Sequence, residues 1–373
     1  MTAPADAALP AALAALVSAP LRGTAAYHVP APAVVHAKLD ANELPVGLPE
    51  ELRAGLAAAL AGVTLERYPD AAARPLRARI AAQLGVAGEQ LVFGNGSDEL
   101  ILMLCEAFAA PRPGATTARV LYPVPSFVYY RLACNARGLA PVEVPLAADF
   151  TLDLAAIEAA IASHAPNVAL FALPNNPTGT LWPMAQIAEL ARRHPDLIVV
   201  SDEAYHAYSG QTLLASVAEL PNLVVMRTLS KLGLAGLRVG YLAASPAVAA
   251  VVDKVRPPYN LGTLNQTAAC WLLDHASGWI AAATRAVLDE RAGLATALAA
   301  LPGVSVFPSE ANLLLIRIAG AGRAHAVWQA LQDRGVLVRD FDRPGPLAGC
   351  LRITVGTAAQ NALLLAELGP LLS

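Results

Sequence analysis

The sequence predicts an α/β protein: a large domain on a mainly parallel, seven-stranded sheet flanked by helices, and a smaller α+β domain after it. Three observations carry this. From about Glu50 short β-branched runs alternate with stretches of helical period, as in repeated βαβ units. The runs are short and apolar, which suits strands covered by helices on both faces. Beyond about Gln266 the pattern changes, first to a long helical stretch and then to mixed strands and helices.

In chain order, residues 1–35 are rich in alanine and proline and read as an arm with one short helix near Ala11–Ser18. Strands are expected at Leu91–Phe93, Arg119–Tyr122, Val142–Val144, Val168–Ala172, Leu197–Ser201, Leu223–Arg227 and Val239–Ala243. Helices lie between most of them, among them Glu99–Ala109, Leu154–Ser163 and Met184–Arg193. A largely helical stretch follows from Gln266 to Ala300. The tail combines strands at Asn312–Arg317, Val336–Arg339 and Cys350–Thr354 with helices at His325–Arg334 and Gln360–Leu368. The expected division is an N-terminal arm (1–47) that joins the small domain, a large domain (48–262) and a small domain (263–373).

Composition narrows the function. Of 373 residues 56% are apolar, but alanine supplies much of this, and no run of about 18 apolar residues is uninterrupted. No membrane partner is expected. The N-terminus has no basic start and carries Asp6 and several prolines, so no signal peptide is expected either. A net charge of −3 without a basic block argues against nucleic acid as a partner. Cys105, Cys134, Cys270 and Cys350 are widely spaced with no Cys-x-x-Cys pair, which suits free thiols in a reducing cytoplasm rather than a metal site.

The chemistry centres on Lys231, in Thr228-Leu-Ser-Lys231 followed by Leu-Gly-Leu-Ala-Gly-Leu-Arg238. A lysine that attacks a carbonyl must first lose its proton, and apolar neighbours with a nearby cation favour that. Hydroxyls and an arginine close by suit a phosphate dianion. Asp202 directly follows the apolar run Leu197–Ser201, at a strand's carboxyl end, where open α/β sheets bind ligands. It suits a partner for a protonated ring nitrogen, or a simple helix cap. Asn175-Asn-Pro-Thr-Gly179 is turn chemistry that presents Asn176. Gly94-Asn-Gly-Ser-Asp-Glu99 lets backbone approach an anion at a helix start, with Ser97 or Asp98 as plain caps the alternative. It is neither a Walker A loop nor a full Rossmann fingerprint. Arg352, within an apolar run, needs a buried anion or a solvent face.

In this order and spacing the set resembles the fold-type I aminotransferases, which use pyridoxal phosphate, over about Tyr27 to Gly356. Within them it is most similar to the histidinol-phosphate aminotransferases, through Lys38-Leu-Asp-Ala-Asn-Glu43, Arg67-Tyr-Pro-Asp70, Gly94–Leu100, Val338-Arg-Asp340 and Leu351–Thr357. The resemblance implies pyridoxal 5'-phosphate held by Lys231. Asn176, Asp202 and Tyr205 would meet its ring, with Phe127 stacked on it. Gly96, Ser97, Asp98, Thr228, Ser230 and Arg238 would surround its phosphate. Tyr68 would reach the phosphate of the other subunit, so a homodimer with shared sites is implied. Tyr27, Asn42, Tyr259, Arg339 and Arg352 would meet the substrate.

The implied reaction is amino transfer between L-histidinol phosphate and 2-oxoglutarate in the cytoplasm, for histidine biosynthesis. Histidinol phosphate has no carboxylate whereas glutamate has two, so the same arginines would serve both anions. Three alternatives fit the same residues: an aromatic amino-acid aminotransferase, a threonine-phosphate decarboxylase, and a non-catalytic cofactor binder. The chain departs from the family pattern at Leu44, in the Lys231–Arg238 gap, which is shorter than in some relatives, and in the additional Arg343.

Overall fold

The computed structural model describes residues 9–24 and 34–372. Its strands are β1 (Ala37–Lys38), β2 (Leu91–Asn95), β3 (Arg119–Val124), β4 (Ala140–Pro145), β5 (Val168–Ala172), β6 (Ile198–Asp202), β7 (Leu223–Thr228), β8 (Val239–Ala243), β9 (Val304–Val306), β10 (Leu313–Ile318), β11 (Val336–Leu337), β12 (Arg339–Asp340) and β13 (Cys350–Thr354). The large sheet has seven strands in the order β2-β8-β7-β6-β5-β3-β4. Strand β8 runs against β2 and β7, and the remaining pairs are parallel.

Successive side chains of a strand point to opposite faces, and both faces of this sheet are dry. Val168, Leu170 and Ala172 join an apolar cluster with Val200, Val224 and Leu242. Ala169 and Phe171 join another on the opposite face with Val199, Leu223 and Val225. Burial on both sides is why these strands read as unbroken apolar runs.

The polarity of the strands positions the site. Strands β2, β3, β5, β6 and β7 all point the same way, so their carboxyl ends lie along one edge. Strand β8 enters from that edge because it runs in reverse. Residues at or just after the ends of the first five and just before the last are thereby gathered: Gly96, Phe127, Asn176, Asp202, Ser230 and Arg238. Between β3 and β5 the strand order also reverses, since β4 lies on the outer side of β3. A crevice opens outside the carboxyl ends at such a point.

The small sheet has the order β12-β13-β10-β9, all antiparallel, while β1 pairs with β11 in parallel. Ala37 and Leu39 of the arm are fully buried in the apolar cluster around this sheet.

Several boundaries differ from expectation for physical reasons. The single helix at Ala11–Ser18 is two short ones, Ala11–Ala14 and Ala19–Arg22. Ser18 is extended between them, and Pro20 sits in the first turn of the second, where its missing N–H costs nothing. The strand expected at Val336–Arg339 is split, because the chain leaves β1 after Leu337 and pairs with β13 from Arg339. The helix expected from Glu99 begins at Ser97, because Gly96 takes a positive φ of 79° and caps it. Ala269 and Leu272 of helix Thr263–His275 lie in the cluster beneath β2 and β8. The next helix, Ser277–Ala299, starts in that cluster with Trp279 and Ile280 and ends among small-sheet residues with Leu294 and Leu298.

Candidate active site

At the carboxyl edge of the large sheet, facing the small one, lies a cavity of about 330 Å³. Thirteen of the expected residues line it: Asn42, Ser97, Asp98, Phe127, Asn176, Asp202, Tyr205, Thr228, Ser230, Lys231, Arg238, Arg339 and Arg352.

Lys231 follows β7 in a single 3-10 turn, closed by Gly233 with φ 82°. Its Nζ donates to the carbonyl of Ala41 at 3.1 Å. Burial pushes the amine down to about 8, and the positive charges of Arg352 and Arg238 add to that, while Glu43 and Asp98 oppose them. A substantial share of the amine is therefore neutral near physiological pH, as carbonyl attack requires.

Asp202 ends β6 and is 4% exposed. Burial raises its carboxyl to about 6, against the donors that favour its ionised form. Those donors are the Tyr130 hydroxyl, 2.8 Å from Oδ2, and the Ala204 N–H, 3.3 Å from Oδ1. A carboxylate held at such cost gains from a protonated nitrogen opposite it.

Next to Lys231 is a corner built for an anion. Helix Ser97–Ala107 begins here, and the free N–H groups of its first turn and its dipole favour negative charge. Arg238 approaches Ser230 Oγ at 3.4 Å and Asp98 Oδ2 at 3.3 Å. Thr228 Oγ1 lies 2.9 Å from Ser230 Oγ and accepts from the Ser230 N–H at 3.1 Å. Gly96 is needed both for its φ and for space, since a Cβ there would come within 2.4 Å of Arg238 Nη2. Gly96 thus shapes the corner without lining the cavity.

Across the cavity stand two arginines. Arg339 on β12 and Arg352 on β13 are directly opposed, so both side chains leave the same face of the small sheet. Like charges so placed repel unless an anion lies between them. Arg352 donates to Asn176 Oδ1 at 2.6 Å and to the Asp40 carbonyl.

Two expected residues are not brought together with the rest. Tyr68 and Tyr259 lie outside the cavity and stack on each other, with ring centroids 4.6 Å apart. Tyr68 is 80% exposed and Tyr259, with φ 60°, is 43% exposed. Tyr27 lies outside the described residues. Asn42 is in the cavity wall, where its Nδ2 donates to Tyr205 Oη and its Oδ1 accepts from Thr354 Oγ1.

Sequence reasoning missed Tyr130. It lies in the first turn of the helix after β3 (Tyr129–Arg137), three residues beyond Phe127, so the two share a side of the chain. Their rings meet edge to face at 5.7 Å. The Ala41 and Asp40 carbonyls were also missed, because a carbonyl leaves no trace in a side-chain pattern.

The cavity accounts for the chemistry of one kind of ligand: a phosphate at the helix start, a protonated ring nitrogen at Asp202 and a carbonyl within reach of Lys231. The comparisons agree. Residues 36–368 match the family described as aminotransferase class I and II. The chain is 47% identical over 98% of its length to histidinol-phosphate aminotransferase 2 of Bordetella parapertussis, covering 99% of that protein. It is 46% identical over 95% of its length to the histidinol-phosphate aminotransferase of Chromobacterium violaceum, covering 97% of it. Among solved structures it resembles histidinol-phosphate aminotransferase from Sinorhizobium meliloti in complex with pyridoxal-5'-phosphate, with a TM-score of 0.82 and 25% identity over 91% of each chain.

Proposed function

The chain belongs to the class I and II aminotransferases, and on that premise we propose that it transfers the amino group between L-histidinol phosphate and 2-oxoglutarate with pyridoxal 5'-phosphate as cofactor. The observation that carries the reading is the single cavity that gathers Lys231, Asp202, the helix-start corner and two opposed arginines.

The fit to the cofactor rests on three features. Lys231 supplies an amine already shifted toward neutrality. Asp202 is a buried carboxylate in want of a cation. Gly96 leaves the corner by Arg238 open to a phosphate. When bound, pyridoxal phosphate supplies an electrophilic carbon that accepts the amino group and a ring that takes up the electron pair left by a departing proton. Asp202 would face the ring nitrogen and favour its protonated form. Tyr205 and Asn176 would face the ring oxygen, with Phe127 beside the ring. Lys231 would hold the cofactor, and its Nζ would hold or move a proton.

Arg339 and Arg352 bind the anionic ends of both substrates in turn, since phosphate and carboxylate each accept paired N–H donors. A homodimer with shared sites completes the reading, in which the exposed Tyr68, outside its own cavity, would serve a partner's. Among the described residues no helix is long and apolar enough to cross a membrane.

The test follows the cofactor's visible absorbance as L-histidinol phosphate and then L-phenylalanine are added to the holoenzyme. Conversion at much lower histidinol phosphate concentration is expected. Preference for phenylalanine would move the enzyme to the aromatic aminotransferases, and carbon dioxide as product would make it a decarboxylase.

A further inference from the structure

We infer that Asn42 is a positioning residue whose amide, oriented by Thr354, turns the Tyr205 hydroxyl proton into the cavity. The inference rests on the reading of that cavity as the pyridoxal-phosphate site.

The wiring follows from counting protons. Asn42 is 1% exposed and sits at φ 54°, a conformation asparagine tolerates better than most residues. Its own N–H donates to Thr354 Oγ1 at 2.9 Å. A hydroxyl has a single proton, and Thr354 gives its proton to Asn42 Oδ1 at 3.2 Å. With the amide reversed, the buried Thr354 proton would lose that acceptor, a cost of about 1–3 kcal/mol for a buried polar group, whereas the Tyr205 proton, released from the amide, still has the cavity to serve. The oxygen of the amide therefore faces Thr354, and the nitrogen faces Tyr205, 2.8 Å from Oη.

An amide nitrogen only donates. Tyr205 Oη is thus the acceptor in this pair, and its proton is left for whatever occupies the cavity that Tyr205 lines. Among the described residues no acceptor takes that proton. The backbone of Asn42 is fixed as well, because its carbonyl accepts from Asn312 Nδ2 at 3.1 Å.

The arrangement links the two halves of the site. Thr354 and Arg352 are two residues apart on β13 and so leave the same face of the strand. The strand that grips the substrate's anion also aims the phenol of Tyr205, a residue of the large sheet's edge. Asn42 contributes through Tyr205 and not by touching substrate.

The experiment is a pH titration of the visible band of the holoenzyme in four proteins: wild type, Tyr205→Phe, Asn42→Asp and the double variant. Asn42→Asp keeps the shape but offers Tyr205 an acceptor, so the phenol proton turns away from the cavity. A ring oxygen deprived of its donor is more basic. The midpoint should rise by about one pH unit in each single variant, the worth of one hydrogen bond. The double variant should add little to Tyr205→Phe. Thr354→Val, which introduces no charge, should shift the midpoint the same way and serves where Asn42→Asp does not fold.

A midpoint unmoved in Asn42→Asp and Thr354→Val while Tyr205→Phe moves it would overturn the inference. So would shifts that add in full, or a lower melting temperature with no shift. Failure of the wild type to form any visible band with added pyridoxal phosphate would instead strike the cofactor reading on which the inference stands.

Discussion

Lys231 has to be neutral to attack a carbonyl, and its surroundings set the pH at which it is. Burial is the largest influence and Arg352 the next, and together they bring the amine to about 8. The sign follows directly: the neutral fraction grows through about pH 8 instead of above 10, so condensation of the apoprotein with pyridoxal phosphate should accelerate across that range. Arg352→Gln removes a neighbouring cation, favours the ammonium form and moves the midpoint upward. Rates of visible-band growth against pH measure this, and an unchanged midpoint in the variant would show that Arg352 does not tune the lysine. At this scale the sequence was readable where chemistry and chain order coincide. Lys231, Ser230 and Thr228 are neighbours, and Asp202 and Tyr205 are three apart. It was unreadable where a partner lies far off in the chain. Tyr130 is 72 residues from Asp202, and Asn42 is 312 residues from Thr354. The sequence accordingly offered Asn42 only as a neighbour of the substrate, without its bonds to Tyr205 and Thr354.

Elements decide what residues can reach. The central strands were placed to within a residue or two because burial on both faces makes them continuous apolar runs, and β5, β8 and β13 begin and end where expected. Helix starts were less legible, since they depend on one capping conformation. Gly96 shows the cost of such a detail. At φ 79° and ψ 176° it occupies a region open essentially to glycine alone, and a Cβ would collide with Arg238 Nη2. Gly96→Ala should therefore strain the loop by about 1–3 kcal/mol and displace Arg238 from the anion corner. Cofactor affinity, followed by titrating the apoprotein, is expected to fall about tenfold or more while the helix itself persists by circular dichroism. Affinity equal to wild type would remove Gly96 and Arg238 from the phosphate site. The opposition of Arg339 and Arg352 is a second element-scale fact. It comes from the β12–β13 register, which the sequence did not contain because the strand at Val336–Arg339 read as one piece.

For the whole molecule, a cavity is complete within one chain only if that chain brings every expected contributor to it. Here two expected contributors, Tyr68 and Tyr259, do not line it. Tyr68 and Tyr259 stack on each other outside their own cavity, and Leu65 and Leu264 on the same two segments are 71% and 46% exposed. Large apolar and aromatic side chains so exposed suit an interface better than open water. In a two-fold dimer the same patch meets its copy, so each chain could lend its Tyr68 to the other's phosphate corner. Burying the patch and completing the site then become one event. Leu264→Glu should shift the chain from dimer to monomer in sedimentation and weaken cofactor retention in parallel, although Leu264 does not line the cavity. Raising the protein concentration should restore both together, because dimer formation is driven by mass action. A monomeric variant that keeps wild-type cofactor affinity would break the link between assembly and site, and would leave Tyr68 an ordinary surface tyrosine.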